Sequence, residues 1–130
     1  MSNDLTLHQR RRPPTATELT TIPWLQLLDE AQQRWVKDQI LVGDALTGDM
    51  VCRFGKAPTY WFGVVQGLLK MSADNAQGDS FTYAGLSAGG WFGEGTVLKR
   101  EPYRYNVQAL RKSLVGGLPV STFHQLLDES

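Results

Sequence analysis

Between residues 40 and 86 the chain is a series of short apolar runs separated by glycine, aspartate and proline, and this pattern constrains the fold more than any other feature. The runs cover residues 40–42, 50–54, 60–65, 68–71 and 80–86. Runs of this length, separated by turn residues at intervals of about 8–12 residues, are typical of antiparallel strands in a sandwich or barrel. We interpret residues 73–79 as a polar loop that joins the last two runs as a hairpin.

Helical patterns flank this region on both sides. Residues 22–39 predict two short helices in succession, the second with Asp29 as its N-cap and Gln32 at the capping-box position. Pro119 is placed to open a final helix. Its predicted apolar face consists of Phe123, Leu126 and Leu127.

Length and charge indicate one soluble domain. The 130 residues fit a single domain, and 13 basic residues balance 13 acidic ones. Residues 1–20 predict a flexible N-terminal arm and residues 21–130 the folded domain. We interpret Arg10, Arg11 and Arg12 as a solvated part of the arm, with a contact to nucleic acid or to an acidic partner as the less favoured alternative. No apolar stretch has the roughly 18 residues of a membrane span, so no membrane contact is expected.

The few metal-binding and redox-active side chains argue against a cupin-like metal enzyme. Cys52 is the single cysteine, which excludes an internal disulfide and a cysteine-ligated cluster within one chain and fits a cytoplasmic protein. His8 and His124 lie far apart in sequence and predict no metal site. A cupin-like enzyme therefore remains only a remote alternative, since it needs metal ligands that the sequence does not offer.

Four tryptophans lie within apolar runs, and we expect them to pack in the core rather than to stack on a purine. They are Trp24, Trp35, Trp61 and Trp91. Trp91 differs from the other three because it lies just before Gly93 and Glu94, the residues most typical of a ligand-binding site.

The segment with the clearest chemical signal runs through residues 89–95, where glycines surround two aromatic residues, and Arg104 follows Glu94 by ten residues. A glycine turn that enters a short helix exposes backbone N–H groups that favour an anion. An arginine on the next strand can hold a phosphate with a bidentate fork. Glu94 can accept hydrogen bonds from sugar hydroxyls, so the set suits a phosphorylated sugar. The alternative is a Glu94–Arg104 ion pair that closes a turn.

The sequence Phe92-Gly93-Glu94, followed by a short helix and Arg104, resembles the phosphate-binding cassette of cyclic-nucleotide-binding domains in Crp/Fnr-type transcription regulators. The resemblance extends from residue 22 to residue 130. It includes the opening residues 22–25 and the strand-breaking Gly55 and Gly67. It implies a mainly β fold, a double-stranded β-helix or jelly-roll-like β-roll with short flanking helices.

The same resemblance implies a binding site. Glu94 takes the role of the residue that contacts the ribose 2′-hydroxyl, and Arg104 that of the residue that contacts the cyclic phosphate. Gly93 and the backbone of Gly95 and Thr96 would line the phosphate. Two positions depart from the family pattern, which usually has leucine or isoleucine and then alanine where this chain has Gly95-Thr96.

The second departure is Tyr105, which stands where the family usually has a serine or threonine. The implied effector is cyclic AMP or another cyclic nucleotide. The alternative that these departures leave open is a roll with a degenerate cassette, which serves dimerisation or binds a non-nucleotide effector.

The expected function is an effector-sensing regulatory domain of a bacterial, cytoplasmic Crp/Fnr-type regulator that binds a small molecule and forms a homodimer in the intact protein. In that family a dimerisation helix and a helix-turn-helix follow the roll. We expect both to be absent from this chain, so DNA would be contacted only through a domain that it lacks. No catalytic residue and no certain cofactor is expected.

Overall fold

The computed structural model describes residues 10–74 and 80–129, and in this part of the chain two antiparallel sheets face each other. The strands are β1 (Arg11–Arg12), β2 (Leu41–Ala45), β3 (Met50–Cys52), β4 (Tyr60–Gln66), β5 (Leu68–Asp74), β6 (Ser80–Ser87), β7 (Trp91–Phe92), β8 (Asn106–Ala109) and β9 (Ser113–Pro119). One sheet has the order β1-β2-β9-β4-β7 and the other the order β3-β8-β5-β6. The predicted mainly β roll is confirmed.

Short helices cover one face of this roll. They are α1 (Ala16–Leu19), a 3₁₀ helix (Trp24–Leu27), α2 (Glu30–Lys37), α3 (Glu94–Lys99) and α4 (Val120–Asp128). The predicted capping box of α2 is present, since the Asp29 side chain accepts from the Gln32 N–H at 2.7 Å and the Gln32 side chain accepts from the Asp29 N–H. Satisfying these two N–H groups fixes the start of α2.

The main core lies between the two sheets and contains inward-facing residues of both. Its buried members are Ala45, Cys52, Tyr60, Phe62, Val64, Leu69, Phe92, Tyr103, Val107, Ala109 and Val115. Successive side chains of a strand point to opposite faces, so each strand contributes alternate residues to this core. Cys52 is buried in this core, as an apolar residue would be.

A second core packs the helices onto the outer face of the five-stranded sheet. It contains Ile22, Leu25, Val36, Ile40, Val97, Leu118, Phe123 and Leu126, and all four tryptophans pack against it. The ring of Trp61 lies 5.0 Å from those of both Trp24 and Trp91, measured between centroids. The expectation that the tryptophans pack in the core is confirmed.

Two glycines make room for Trp91 in this second core. A Cβ atom on Gly63 would collide with the Trp91 ring, and one on Gly116 would lie 3.2 Å from it. The indole therefore lies directly on the sheet backbone, where it can fix the last residues before Gly93.

The N-terminal segment differs from the flexible arm predicted for residues 1–20. Residues 10–20 carry β1, which pairs with β2, and α1, whose N-cap Thr15 forms a capping box with Glu18. Arg12 donates two hydrogen bonds to the Glu18 carboxylate, at 2.8 and 2.7 Å. Arg10 donates to Asp49 at 3.0 Å. Within residues 10–20 the expected flexible arm is thus a strand and a helix, because Arg10 and Arg12 have acidic partners, while Arg11 is exposed. Residues 1–9 lie outside the described part.

The last helix buries only two of the three apolar residues predicted to face the core. Leu127, predicted on the buried face of the last helix, is 42% exposed, whereas Phe123 and Leu126 are buried. Because α4 docks along a narrow apolar stripe, Leu127 faces away from the sheet.

β5 and β6 pair antiparallel as predicted. Most of the loop proposed at residues 73–79 lies outside the described residues.

Candidate functional site

The segment with the chemical signal begins at the edge of the five-stranded sheet. β7 pairs with β4, with Phe62 opposite Phe92, and this pairing places the following turn at the end of the roll. Gly93 adopts a left-handed conformation with a φ of +78° and caps α3 without any side-chain hydrogen bond. Glycine suits this position because an L side chain would be strained there.

The first turn of α3 presents backbone N–H groups that helix geometry leaves without a helical partner. The first backbone bond joins the Val97 N–H to the Gly93 carbonyl at 3.1 Å. The N–H groups of Glu94, Gly95 and Thr96 therefore precede the ladder, as in any helix start. Glu94 and Gly95 are exposed on this turn, while Thr96 is half-buried.

The other end of α3 is held by the second core. Val97 is buried, and its carbonyl lies 3.0 Å from Nε2 of His124 in α4. Arg100 ends the helix in a left-handed conformation, with a φ of +56°. His124, for which no role was predicted, thus joins the helix of the cassette to the helix that leaves the roll.

Tyr103 fixes the returning chain. Its N–H donates to the Lys56 carbonyl at 3.0 Å, and its own carbonyl accepts from the Gly55 N–H at 2.8 Å. The ring is buried, and this burial, with Cys52 beside it, raises the pKa of Tyr103 well above its usual value. With Tyr103 held inward, the next two side chains take opposite directions.

Arg104 points outward. Its side chain is 79% exposed, and Nη2 lies 3.8 Å from Oε2 of Glu101. The Glu94–Arg104 ion pair considered from the sequence is not among the salt bridges of residues 10–74 and 80–129; Glu101 takes that place. Residues 101–104 are not helical, so their spacing alone gave no signal for this pair.

Tyr105 points inward, over the turn. Its hydroxyl lies 3.3 Å from Thr96 Oγ1, and a Cβ atom built on Gly93 would lie 2.8 Å from it. The ring packs edge-on against Tyr103, with centroids 5.6 Å apart. Of the six predicted site residues, the structure thus brings Gly93, Thr96 and Tyr105 into contact, leaves Glu94 and Gly95 on the exposed turn, and directs Arg104 towards Glu101.

The donors of this site suit an organic ligand better than a metal. The first turn of α3 offers N–H groups, and Thr96 and Tyr105 offer hydroxyls that both donate and accept. Within the part of the chain that the structure describes, no three His, Cys, Asp or Glu side chains cluster as metal ligands. None of the helices in that part is both long and apolar enough to cross a membrane.

Comparison with solved structures finds the same fold in proteins of low sequence identity. A candidate cyclic nucleotide binding protein from Ruegeria pomeroyi superposes with a TM-score of 0.78 at 18% identity, over 88% of this chain and 50% of that one. A regulatory domain of protein kinase A from Toxoplasma gondii, solved with cyclic AMP, has a TM-score of 0.77 at 21% identity, over 85% and 43%.

A third similar structure carries a different ligand. The regulatory subunit of a cyclic-AMP-independent protein kinase A from Trypanosoma cruzi, bound to guanosine, has a TM-score of 0.77 at 18% identity, over 86% of this chain and 40% of that one. The chain thus spans half or less of the length of these three proteins. No curated protein matches it. The model of the cyclic nucleotide-binding domain matches residues 45–130, and the chain therefore belongs to the cyclic nucleotide-binding domain family.

Proposed function

We propose that the chain is the effector-sensing domain of a bacterial, cytoplasmic Crp/Fnr-type transcription regulator and that its effector binds at the cassette of residues 92–105. The observation that carries this proposal is the left-handed turn at Gly93, which leads directly into α3 beneath the returning chain at Tyr105. In the intact protein the domain would form a homodimer and reach DNA through a separate domain.

The contact between α3 and α4 supports a route from effector to output. A ligand acts on a protein by favouring the arrangement that it binds better. A ligand held at the first turn of α3 would favour one position of that helix, and the His124–Val97 contact would pass the preference to α4. In a Crp/Fnr-type regulator the dimerisation helix would continue from there.

Different residues of the cassette would recognise different parts of the effector. Glu94 would accept hydrogen bonds from sugar hydroxyls. Gly93, Gly95 and Thr96 would line the phosphate, or the group that stands in its place next to the sugar. Arg104 would turn from Glu101 to meet a phosphate, if the effector carries one. Among similar proteins, one was solved with cyclic AMP and another with guanosine, so both compounds belong in the ligand panel.

The test is a thermal-shift screen with cyclic AMP, cyclic GMP, adenosine and guanosine, followed by calorimetry on variants. A ligand at 100 times its Kd should stabilise the fold by about 2.7 kcal/mol. Glu94→Gln should weaken any sugar-bearing ligand by about tenfold, since hydrogen bonds to charged groups contribute about 1.5–3 kcal/mol.

Arg104→Ala separates phosphorylated ligands from the others. It should weaken them by more than an order of magnitude, because loss of one partner of a desolvated charge pair costs about 2–5 kcal/mol. Lys99→Ala is the matched control, since Lys99 is exposed at the far end of α3. If no compound binds at about millimolar concentration, or if Glu94→Gln leaves binding intact, the cassette is not the effector site.

A second candidate function is a roll whose cassette no longer binds a nucleotide and which serves dimerisation or responds to a non-nucleotide effector. Its support is the Tyr105 hydroxyl, which lies over Gly93. The same screen favours it when no nucleotide or nucleoside stabilises the chain. Sedimentation would then be the decisive measurement of dimerisation.

A further inference from the structure

We infer that the cassette, if it is the effector site proposed above, selects a ligand with a neutral sugar, a nucleoside rather than a cyclic nucleotide, because Tyr105 closes the end of the site that a phosphate would need. The juxtaposition that carries this inference joins the Tyr105 hydroxyl, Gly93 and Thr96 at the start of α3.

The first step is steric. The Tyr105 hydroxyl would lie only 2.8 Å from a Cβ atom on Gly93, so it already occupies the space next to the turn. The ring cannot withdraw freely, because it packs against Tyr103 and against the main core. A phosphate that approached the turn over Gly93 would meet this hydroxyl and would have to displace a packed aromatic ring.

The second step is electrostatic. A directed cation strengthens phosphate binding away from water, since an unpaired charge is costly to desolvate. Arg104 is 79% exposed and lies beside Glu101, with 3.8 Å between Nη2 and Oε2. Glu94 brings a negative charge to the first turn of α3. Among the six predicted site residues, the one cation, Arg104, therefore points to solvent beside Glu101, while Glu94 adds a negative charge to the turn.

The third step concerns hydrogen bonding. The Tyr105 and Thr96 hydroxyls, 3.3 Å apart, can each donate and accept. A sugar hydroxyl can exchange hydrogen bonds with such a pair without bringing a charge. The Glu94 carboxylate accepts from further hydroxyls of the same sugar. These groups together match the free hydroxyls of a nucleoside ribose, whereas a cyclic phosphate ties up two of those hydroxyls as esters.

Calorimetry with adenosine, guanosine, cyclic AMP and cyclic GMP tests the inference on the whole chain. The wild type should bind one nucleoside at least about tenfold more tightly than the matching cyclic nucleotide. Tyr105→Thr opens the phosphate end and should strengthen cyclic nucleotide binding by about tenfold or more. Tyr105→Phe keeps the ring and loses the hydroxyl. It should weaken the nucleoside by about 3- to 10-fold without strengthening the cyclic nucleotide.

Tyr103→Phe is the matched control, because it removes from the same segment a hydroxyl that donates to the Tyr60 carbonyl, at 3.4 Å. Its nucleoside affinity should equal that of the wild type. Urea unfolding of each variant establishes that it is folded. A wild type that binds cyclic nucleotides as tightly as nucleosides overturns the inference and leaves the proposed function standing. Failure of all four ligands with every variant overturns both.

Discussion

At the scale of single residues, the cassette depends on one left-handed glycine and on the direction of two neighbouring side chains. Gly93 turns the chain into α3, and the bend after Tyr103 sends Arg104 outward and Tyr105 inward. Alternation alone predicts that Arg104 and Tyr105 face opposite sides. Which of them faces the site follows from the burial of Tyr103, a contact with a distant strand.

Gly93 and Gly95 lie two residues apart, and we predict that substitution by alanine destabilises the fold only at Gly93. Gly93→Ala should destabilise the fold by about 1–2 kcal/mol, because it places a Cβ atom in a left-handed conformation and against the Tyr105 hydroxyl. Gly95→Ala should be neutral or stabilise by up to about 1 kcal/mol, since the position is helical and nothing lies within 4 Å of the new atom. Urea midpoints measure both; equal effects would contradict this account.

At the scale of elements, the connections that matter are those that tie peripheral segments to the roll. α3 is tied to α4 through His124, and α1 is tied to β1 through Arg12 and Glu18. The second tie has a measurable pH signature. The hydrogen bonds from Arg12, together with those that Glu18 makes at the helix start, lower the pKa of Glu18 from 4.5 to about 2.

The lowered pKa of Glu18 predicts the pH range in which its ion pair with Arg12 stops stabilising the fold. The folded value lies below the ordinary one, so the contribution of Glu18 is complete above about pH 4.5 and disappears as the pH falls towards 2. The free energy of unfolding of the wild type should exceed that of Glu18→Gln by about 0.2–1 kcal/mol at neutral pH, as for other surface ion pairs. This difference should shrink through that pH range.

Glu30→Gln provides the matched control for Glu18→Gln. It removes a helical ion pair with Arg34 in which both side chains are largely exposed, at 91% and 68%. Its effect on the free energy of unfolding at neutral pH should stay within about 0.5 kcal/mol. A Glu18 effect that did not shrink between pH 4.5 and about pH 2 would refute the assignment.

At the scale of the whole molecule, charge and topology bear on what the chain can bind. Basic and acidic residues balance at 13 each. Two of the three arginines at residues 10–12 are paired, Arg10 with Asp49 and Arg12 with Glu18, while Arg11 is exposed. A DNA-binding domain instead presents a basic surface and an element that enters a groove.

We therefore predict that this chain has no sequence-specific affinity for DNA. Weak nonspecific binding would come from exposed cations and should vanish in gel shifts at about 200 mM salt. Arg11→Ala should reduce this residual binding at low salt more than Arg12→Ala, because Glu18 already neutralises Arg12. A defined operator that stays bound at the higher salt concentration would contradict the prediction.

The sequence by itself determined the strands between residues 40 and 86, the capped helix at Asp29, the packing of the tryptophans against the core and the glycine turn with its candidate ligands. All of these depend on local signals, namely apolar period, turn chemistry and capping, which a short window contains. In β8 the apolar Val107 and Ala109 are buried and alternate with the half-buried Asn106 and Gln108, as a two-residue period requires.

Only the tertiary structure decided how these parts meet. The pairing of β1 with β2, the partners of Arg10 and Arg12, the exposure of Leu127 and the place of Tyr105 over Gly93 join residues distant in sequence or depend on how a helix docks. A local pattern shows which residues share a face of a strand, but it does not show which strands lie beside it. Strand order, and the direction of side chains in a bend, are set by the packing of the whole core.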